Sequence, residues 1–507
     1  MTRYAPILAL ACSLSVHAQS DPSEPSDLLR LEDGELAGHF GGINGDGNVL
    51  WNRDDGIDTM EFKQDKIRQI VLRGGGNLEP KPDTSHILLT NGDRLPAKIV
   101  AMDRENITLD TPMAGKLVIP LDAVVSMHPN PFGGRLLYAG PFSEDGWEIR
   151  SSQPDEDEEE EGEEEEEPEE NQEEEKAAAW RHVGAKWYFT GGRDALRRQV
   201  GLTDKSALRF TLEWRSRPPI AIALNADFAE RPEPKEAEEE ENEEEEKPRA
   251  FRRVSSSSNY AKYFGNSLVL TLRSSYAQLL HCGYDEDGNE FSDQIRPSSS
   301  SVRVEDSGSA DFELRSNREA GTITLFVNGK FATQWNLEKK FEDDIAYPTG
   351  GGIGFSTMGS DTPARISDII VAEWNGMPDS ARSFESEEAD TILLTNGTDR
   401  FAGEIQSIEG GILKVKSAYA ELEIPVEEVA QVRFAGREIE EDDSLEQGLQ
   451  VHFQPLGTLS GKAGKTAGDA LRLESPLLGE IKVDLDSAVL LEFDSGQGFL
   501  NYWDEDL

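Results

Sequence analysis

The sequence predicts an all-β fold, and three observations carry that expectation. Apolar and polar residues alternate with a period of two in many short stretches, the signature of strands with one buried face. Turn-forming pairs such as Asn-Gly and Asp-Gly stand between those stretches. The hexapeptide Ile-Leu-Leu-Thr-Asn-Gly occurs at 87–92 and again at 392–397, each time opening a segment with the same later landmarks. Such self-similarity speaks of architecture before chemistry. No convincing long amphipathic helix interrupts the pattern, and a chain of 507 residues is expected to hold roughly two to four globular units.

In chain order, residues 1–18 read as an export signal: Arg3 supplies positive charge, 7–16 a short apolar run, and Val16-His17-Ala18 a small-residue cleavage site. A lipid-anchored form through Cys12 is the alternative, on the imperfect site Leu10-Ala11-Cys12. The expected location is therefore periplasmic or extracellular. Cleavage after Ala18 would leave Cys282 as the single cysteine, so internal disulfides cannot hold the fold. No later stretch approaches the ~18 unbroken apolar residues of a membrane span.

Residues 27–131 are expected to form two small β repeats as a pair. The first begins near Leu28, where alternation through Leu31 meets Asp33-Gly34, and continues in short strands at 49–51, 60–62 and 67–72. The second is expected to hold strands at 86–90, 94–102, 107–111, 116–119 and 124–127, with a hairpin turn at Asn91-Gly92 and a ladder-ending Pro120. Five short strands in about 45 residues describe a small, strongly bent sheet or barrel. Residues 391–495 repeat the arrangement as a second pair, with Ile424-Pro425 matching Ile119-Pro120 and Gly479-Glu480-Ile481-Lys482-Val483 matching Gly115 to Ile119. Units this small lie near the limit of independent folding, which is the reason to expect pairing. With Asn91-Gly92, Asp103 and Ile107-Thr108-Leu109 at these spacings, each copy resembles the first half of an Sm-like barrel. The RNA site of that family is not reproduced, because Asp103-Arg104-Glu105-Asn106 misplaces the asparagine and no Arg-Gly pair follows; Asp103 reads as a turn residue.

The central block, 135–376, alternates at Leu208, Phe210, Leu212 and Trp214, again at Leu268, Leu270 and Leu272, and then at Phe312 and Leu314 and at Ile323, Leu325 and Val327, ahead of Asn328-Gly329. This pattern describes an antiparallel sandwich. Phe312 to Arg315, Gly321 to Lys330, Trp335, Gly352-Ile353-Gly354-Phe355 and Arg365 to Ile369 resemble the closing strands of the concanavalin A-like lectin/glucanase superfamily, an ending shared by laminin-G-like domains and 3-keto-disaccharide hydrolases. The resemblance implies a jelly roll. Two acidic runs, within 152–176 and 230–249, interrupt the block and read as disordered insertions between strands. A linker at 377–390 precedes the second repeat pair, and 496–507 is a C-terminal tail.

The chain carries 99 acidic against 50 basic residues, a net charge of -49, which weighs against nucleic acid as a partner. Asp285-Glu286-Asp287-Gly288-Asn289 has the start of a calcium loop, but Arg296 stands where the closing carboxylate belongs, so a hairpin turn is expected and no metal or other cofactor is assigned. If Leu208 to Trp214 face the core, Arg209, Thr211, Glu213 and Arg215 face outward, and by the same parity so do Arg273, Glu313 and Arg315. On one concave sheet these would form a polar floor for hydrogen-bonding a glycan, with Trp180 and Trp187 as candidate sugar-stacking platforms. No catalytic residues are assigned; Glu213 with Glu313 is the carboxylate pair an enzymatic alternative would need. The reading is an exported, non-catalytic binding or scaffold protein whose lectin-like sandwich takes a polysaccharide, glycoprotein or envelope component. The alternatives are a glycoside-processing enzyme and an assembly protein that binds protein partners through its β repeats.

Overall fold

The computed structural model describes residues 26–31, 34–53, 59–75, 84–132, 134–151, 179–183, 185–189, 191–215, 220–232, 260–273, 275–285, 287–302, 304, 308–337, 347–357, 362–376, 389–397, 399–439, 448–454, 456–466 and 470–493. The expected export signal with Cys12, the expected C-terminal tail and nearly all of the acidic runs and of the expected linker lie outside the described residues. Within them the protein is all-β, with one short α-helix. No helix among them is long and apolar enough to cross a membrane.

Four repeats share one topology. Repeat 1 runs through strands Asp27–Leu31, Gly34–Ile43, Asn48–Asn52, Thr59–Lys63 and Ile67–Val71. Each repeat orders its strands fourth-third-second-first-fifth, with a single 3-10 turn leading into the fifth. Repeat 2 spans His86 to His128, repeat 3 Asp390 to Arg433, and repeat 4 Leu449 to Glu492. In repeat 2 the second strand breaks at Ala97, just past Pro96, and the Ala97 amide donates to the Ser85 carbonyl instead. The Asn-Gly turns are formed as the hexapeptide predicts: Gly92 takes φ +84 and Gly397 φ +71, and the Gly92 amide donates to the Leu89 carbonyl at 3.0 Å.

How the repeats join differs from the expected pairing of neighbours in sequence. The fifth strand of repeat 1 pairs with that of repeat 4 (Val71 opposite Leu490), and the fifth strand of repeat 2 with that of repeat 3 (Met127 opposite Val432). Second strands also meet, Met102 opposite Ile408 and Arg94 opposite Thr458. The reason is geometric: the fourth and fifth strands are the two edges of each repeat, and the fifth strands satisfy each other's unpaired backbone groups. Equivalent inward residues Leu29, Ile87, Ile392 and Val451 are all fully buried and belong to one core contributed by all four repeats.

The central block is a sandwich of two antiparallel sheets. The first orders strands Trp180–Val183, Lys186–Phe189, Ala364–Glu373, Lys205–Trp214, Gly308–Asn317, Thr322–Val327 and Lys330–Asn336, with Leu136–Gly140 also paired to Ala364–Glu373. The second orders Trp147–Arg150, Ala195–Gln199, Gly352–Thr357, Ile220–Ala226, Ser267–Arg273, Tyr276–Tyr284 and Glu290–Ser301. Leu208, Phe210, Leu212 and Trp214 fill the space between them with Leu268, Leu270, Phe312 and Phe355, so the period-two reading holds in both sheets. Asn328 and Gly329 sit at φ +50 and +72, the paired left-handed residues of a type I′ hairpin. Helix Tyr260–Phe264 caps the outer side of the second sheet over Ala221, Ala223 and Val269. Gly354 makes this approach feasible, since a Cβ there would stand 2.3 Å from the Phe264 ring.

The outer face of the first sheet is turned toward the repeats. Strand Ala364–Glu373 bulges at Asp368, which takes φ +49, and its side-chain phase slips by one: Ile366 before the bulge and Ile369 after it both enter the sandwich core. Ile370 and Ala372 are thereby turned outward, where they pack with Phe132, Leu136 and Leu456 of repeat 4. Val71 of repeat 1 and Leu490 of repeat 4 form a second apolar contact with Ala185 of the sandwich.

Candidate functional site

Between those two apolar contacts the outer face of the first sheet stays polar, and it is roofed. Strands Lys205–Trp214 and Gly308–Asn317 run antiparallel with Thr211 opposite Asp311 and Arg209 opposite Glu313. Arg209 Nη2 lies 3.1 Å from Asp311 Oδ2, and Thr211 Oγ1 donates to Asp311 Oδ1 at 2.7 Å. Burial works to raise the Asp311 pKa, but Arg209 and the Thr211 hydroxyl outweigh it and hold the carboxyl below its ordinary value. Glu313 accepts from Arg315 Nε at 2.7 Å, both side chains being buried, and the Arg315 guanidinium lies over Phe326 and Trp374. One strand over, Arg365 bonds Glu213 and donates to the Tyr188 hydroxyl at 3.2 Å. Burial alone would lower the Arg365 pKa, yet the Glu213 carboxylate raises it above its ordinary value.

The repeats supply the roof, and two cavities remain beneath it, of about 440 Å³ and about 300 Å³. Over Arg209, Asp311 and Glu313 lie His86, Arg94, Ser126 and His128 of repeat 2 with Gln431 and Arg433 of repeat 3. Over Thr211, Glu213 and Arg365 lie Gln450, His452 and Thr458 of repeat 4. Arg94 lines both cavities and so marks where they meet. His86 and His128 stack with centroids 4.6 Å apart, and His128 Nε2 is 2.8 Å from the Ser126 hydroxyl. Burial, followed by the nearby Arg94 charge, drives the His86 pKa down to about 3, so its imidazole is neutral at ordinary pH. At the far edge, Lys186 of the sandwich and His452 of repeat 4 both bond Glu492, at 3.1 and 3.0 Å.

Of the residues singled out from sequence, Arg209, Thr211, Glu213, Glu313 and Arg315 share this face. Arg273 does not; it ends a strand of the opposite sheet, exposed and opposite Tyr276. Arg215 is exposed at the end of its strand and lines neither cavity. Trp180 and Trp187 are core residues, 1 % and 3 % exposed, with the Trp180 indole donating to the Asp194 carbonyl and the Trp187 ring packed on Trp147 and His182. Neither presents a face on which a sugar could stack. The Glu213 and Glu313 pair also fails as a glycosidase dyad. Glu213 stands opposite Ser309, four residues from Glu313 along the neighbouring strand, which puts the two about 14 Å apart by strand rise. The two-carboxylate mechanism needs roughly 5–9.5 Å, and each carboxylate here is held by an arginine. Asp285 forms a turn, its Oδ1 accepting from the Asp287 and Asn289 amides.

Sequence reasoning missed Asp311 and Arg365, although both lie in the outward phase that selected their neighbours. It also missed Arg94, His86, His128 and Ser126, whose role depends on how the repeats pack, which no local pattern reports.

No protein-family model matches the chain, and no curated protein matches it. Solved structures similar to this chain include a carbohydrate-binding module, CBM66, from Bacillus subtilis, at 7% identity and TM-score 0.24 over 38% of this chain and 91% of that one. A protein with a galectin-like fold from Bacillus subtilis aligns at 13% identity and TM-score 0.24, covering 47% and 96%. The carbohydrate recognition domain of Emp46p aligns at 11% identity and TM-score 0.26, covering 48% and 98%. These neighbours are distant, and they are lectin-like and carbohydrate-binding sandwich domains.

Proposed function

We propose that the protein is an exported, non-catalytic binder of a small saccharide or of the terminal sugars of a glycan, held in the cleft between the sandwich and the repeats. The observation that carries this reading is the roofed polar face: Arg209, Thr211, Asp311 and Glu313 below, with His86, Ser126, His128 and Gln431 above, around cavities of about 440 and 300 Å³. Ligand sites of that size with convergent polar groups are the usual form of a small-molecule pocket. A neutral imidazole, a hydroxyl, an amide and fixed carboxylates provide both donors and acceptors, which is what a polyhydroxylated ring requires. The signal-like pattern of residues 1–18 supports a location outside the cytoplasm. A role for the repeats in binding other proteins is the lesser reading, because all four of their fifth strands and three of their second strands are spent on one another.

The test is calorimetric titration of the full chain with a panel of mono- and disaccharides, wild type beside Arg209→Gln and Thr211→Val. Binding at sub-millimolar Kd, weakened at least tenfold in both variants, is the expected result. Undiminished binding in both would move the ligand elsewhere, and no binding across the panel would remove the reading.

A further inference from the structure

Of the cations lining the cavities, Arg94 is the one that makes no salt bridge among the described residues. Arg209 is matched by Asp311, Glu313 by Arg315, Arg365 by Glu213 and Lys186 by Glu492. The Arg94 guanidinium has no ion pair and no side-chain hydrogen bond among the described residues, although it is half-buried in the walls of both cavities. Its backbone is fixed by pairing with Leu88 on one side and Thr458 on the other, so the side chain projects from a rigid position between two repeats. Two further carboxylates, Asp368 and Glu438, line the cavities from exposed positions; the Asp368 charge favours the Arg94 guanidinium but makes no salt bridge with it among the described residues. His86, beside Arg94, carries no charge at ordinary pH.

From this we infer that the ligand is an acidic saccharide, a sugar bearing a carboxylate or a sulfate, whose anionic group pairs with Arg94. The inference rests on the cleft being a saccharide site and narrows it to one chemical class. Arginine suits the task because its planar fork holds a carboxylate or sulfate through two parallel hydrogen bonds and keeps its charge when partly dehydrated. The net charge of -49 does not by itself oppose it: at physiological ionic strength charges are screened over about 8 Å, so the groups lining the cleft weigh most in the potential an anion meets there.

The experiment compares D-glucuronate and D-galacturonate with D-glucose and D-galactose, and D-glucose 6-sulfate with D-glucose, by titration calorimetry on the full chain. Acidic sugars are expected to bind at least tenfold tighter than their neutral parents. The carboxylate and sulfate arms distinguish which anion is preferred. Arg94→Gln should bring the ratio of acid to parent affinity close to one, whatever it does to the neutral sugars themselves, and Arg94→Lys should keep part of the wild-type ratio. The wild-type ratio of acid to parent is readable whatever the variants do to folding. Equal or weaker binding of the acids would overturn the inference and leave the saccharide reading intact. Arg94→Gln weakening acid and parent equally would also overturn it. No binding of any of these sugars would remove both.

Discussion

Glu492 joins the sandwich to the repeats, and replacing it by Gln tests how firmly. Its carboxylate lies 3.1 Å from Lys186 of the sandwich and 3.0 Å from His452 of its own repeat, with side-chain exposures of 15 % for Glu492, 21 % for Lys186 and 12 % for His452. Removing one member of a fully buried ion pair costs about 3–5 kcal/mol, because the other charge is stranded. With the lysine about one-fifth exposed and Gln keeping the size and one acceptor, about 2 kcal/mol is expected for Glu492→Gln. Urea unfolding followed by tryptophan fluorescence reads it, in a cycle of wild type, Lys186→Met, Glu492→Gln and the double variant. A coupling of about 1–2 kcal/mol is expected; single effects that add to within about 0.5 kcal/mol would refute a direct pair. The pH dependence gives a second check. Burial works to raise the Glu492 pKa, but Lys186 and the His452 hydrogen bond outweigh it and hold it well below the ordinary 4.5. Near pH 4 the unfolded chain therefore binds more protons than the folded one, so this contribution is full above about pH 5 and is lost as the pH falls through the acid range. Burial works against the Lys186 charge, yet Glu492 raises its pKa above 10.5, so the lysine side is full below that value and fades only in stronger alkali. Glu492→Gln should flatten the acid limb; an unchanged limb would mean that other carboxylates set it.

Trp180→Ala and Trp187→Ala should each lower stability by about 3–5 kcal/mol, as large core truncations do, while any sugar affinity measured on folded protein stays within about twofold. A selective loss of binding at unchanged stability would return them to the site. Gly354→Ala drives a methyl group into Phe264 and should cost about 1–3 kcal/mol by overpacking, read as a lower thermal midpoint. Gly92→Ala meets only ordinary contact with Ile439 at 3.5 Å, so its cost of about 1 kcal/mol comes from holding φ near +84; Gly92→Asn, which tolerates that region, should recover part of it.

The fold was legible where local chemistry decides it. Alternation placed Leu208 to Trp214 in the core, Asn91-Gly92 and Asn328-Gly329 marked their turns, and Pro120 closed its strand. The repeated hexapeptide located two of the four repeats and led to the others. What stayed hidden depends on contacts distant in sequence. Parity put Arg273 and Glu313 outward but could not say that they lie on opposite sheets, nor that the Glu313 face is covered. The indole rings of Trp180 and Trp187 bury as readily as they stack sugars, and composition does not choose between those fates. The slip at Asp368, by contrast, had a faint mark in sequence: Ile366, Ile369 and Val371 break strict alternation by one residue, which is how a bulge reads.

The fifth-strand ladders also set a timetable. Val71 and Leu490 are neighbours in space but about 420 residues apart along the chain. At a synthesis rate of about 5–20 residues per second, the first repeat leaves the ribosome some 20–80 seconds before its partner strand exists. Throughout that interval its edge is an open template for any other extended segment, including the same strand on a neighbouring nascent chain. Repeats 1 and 4 close the repeat assembly together, so a chain truncated anywhere in repeat 4 is expected to be lost to association rather than to persist as a shorter binder.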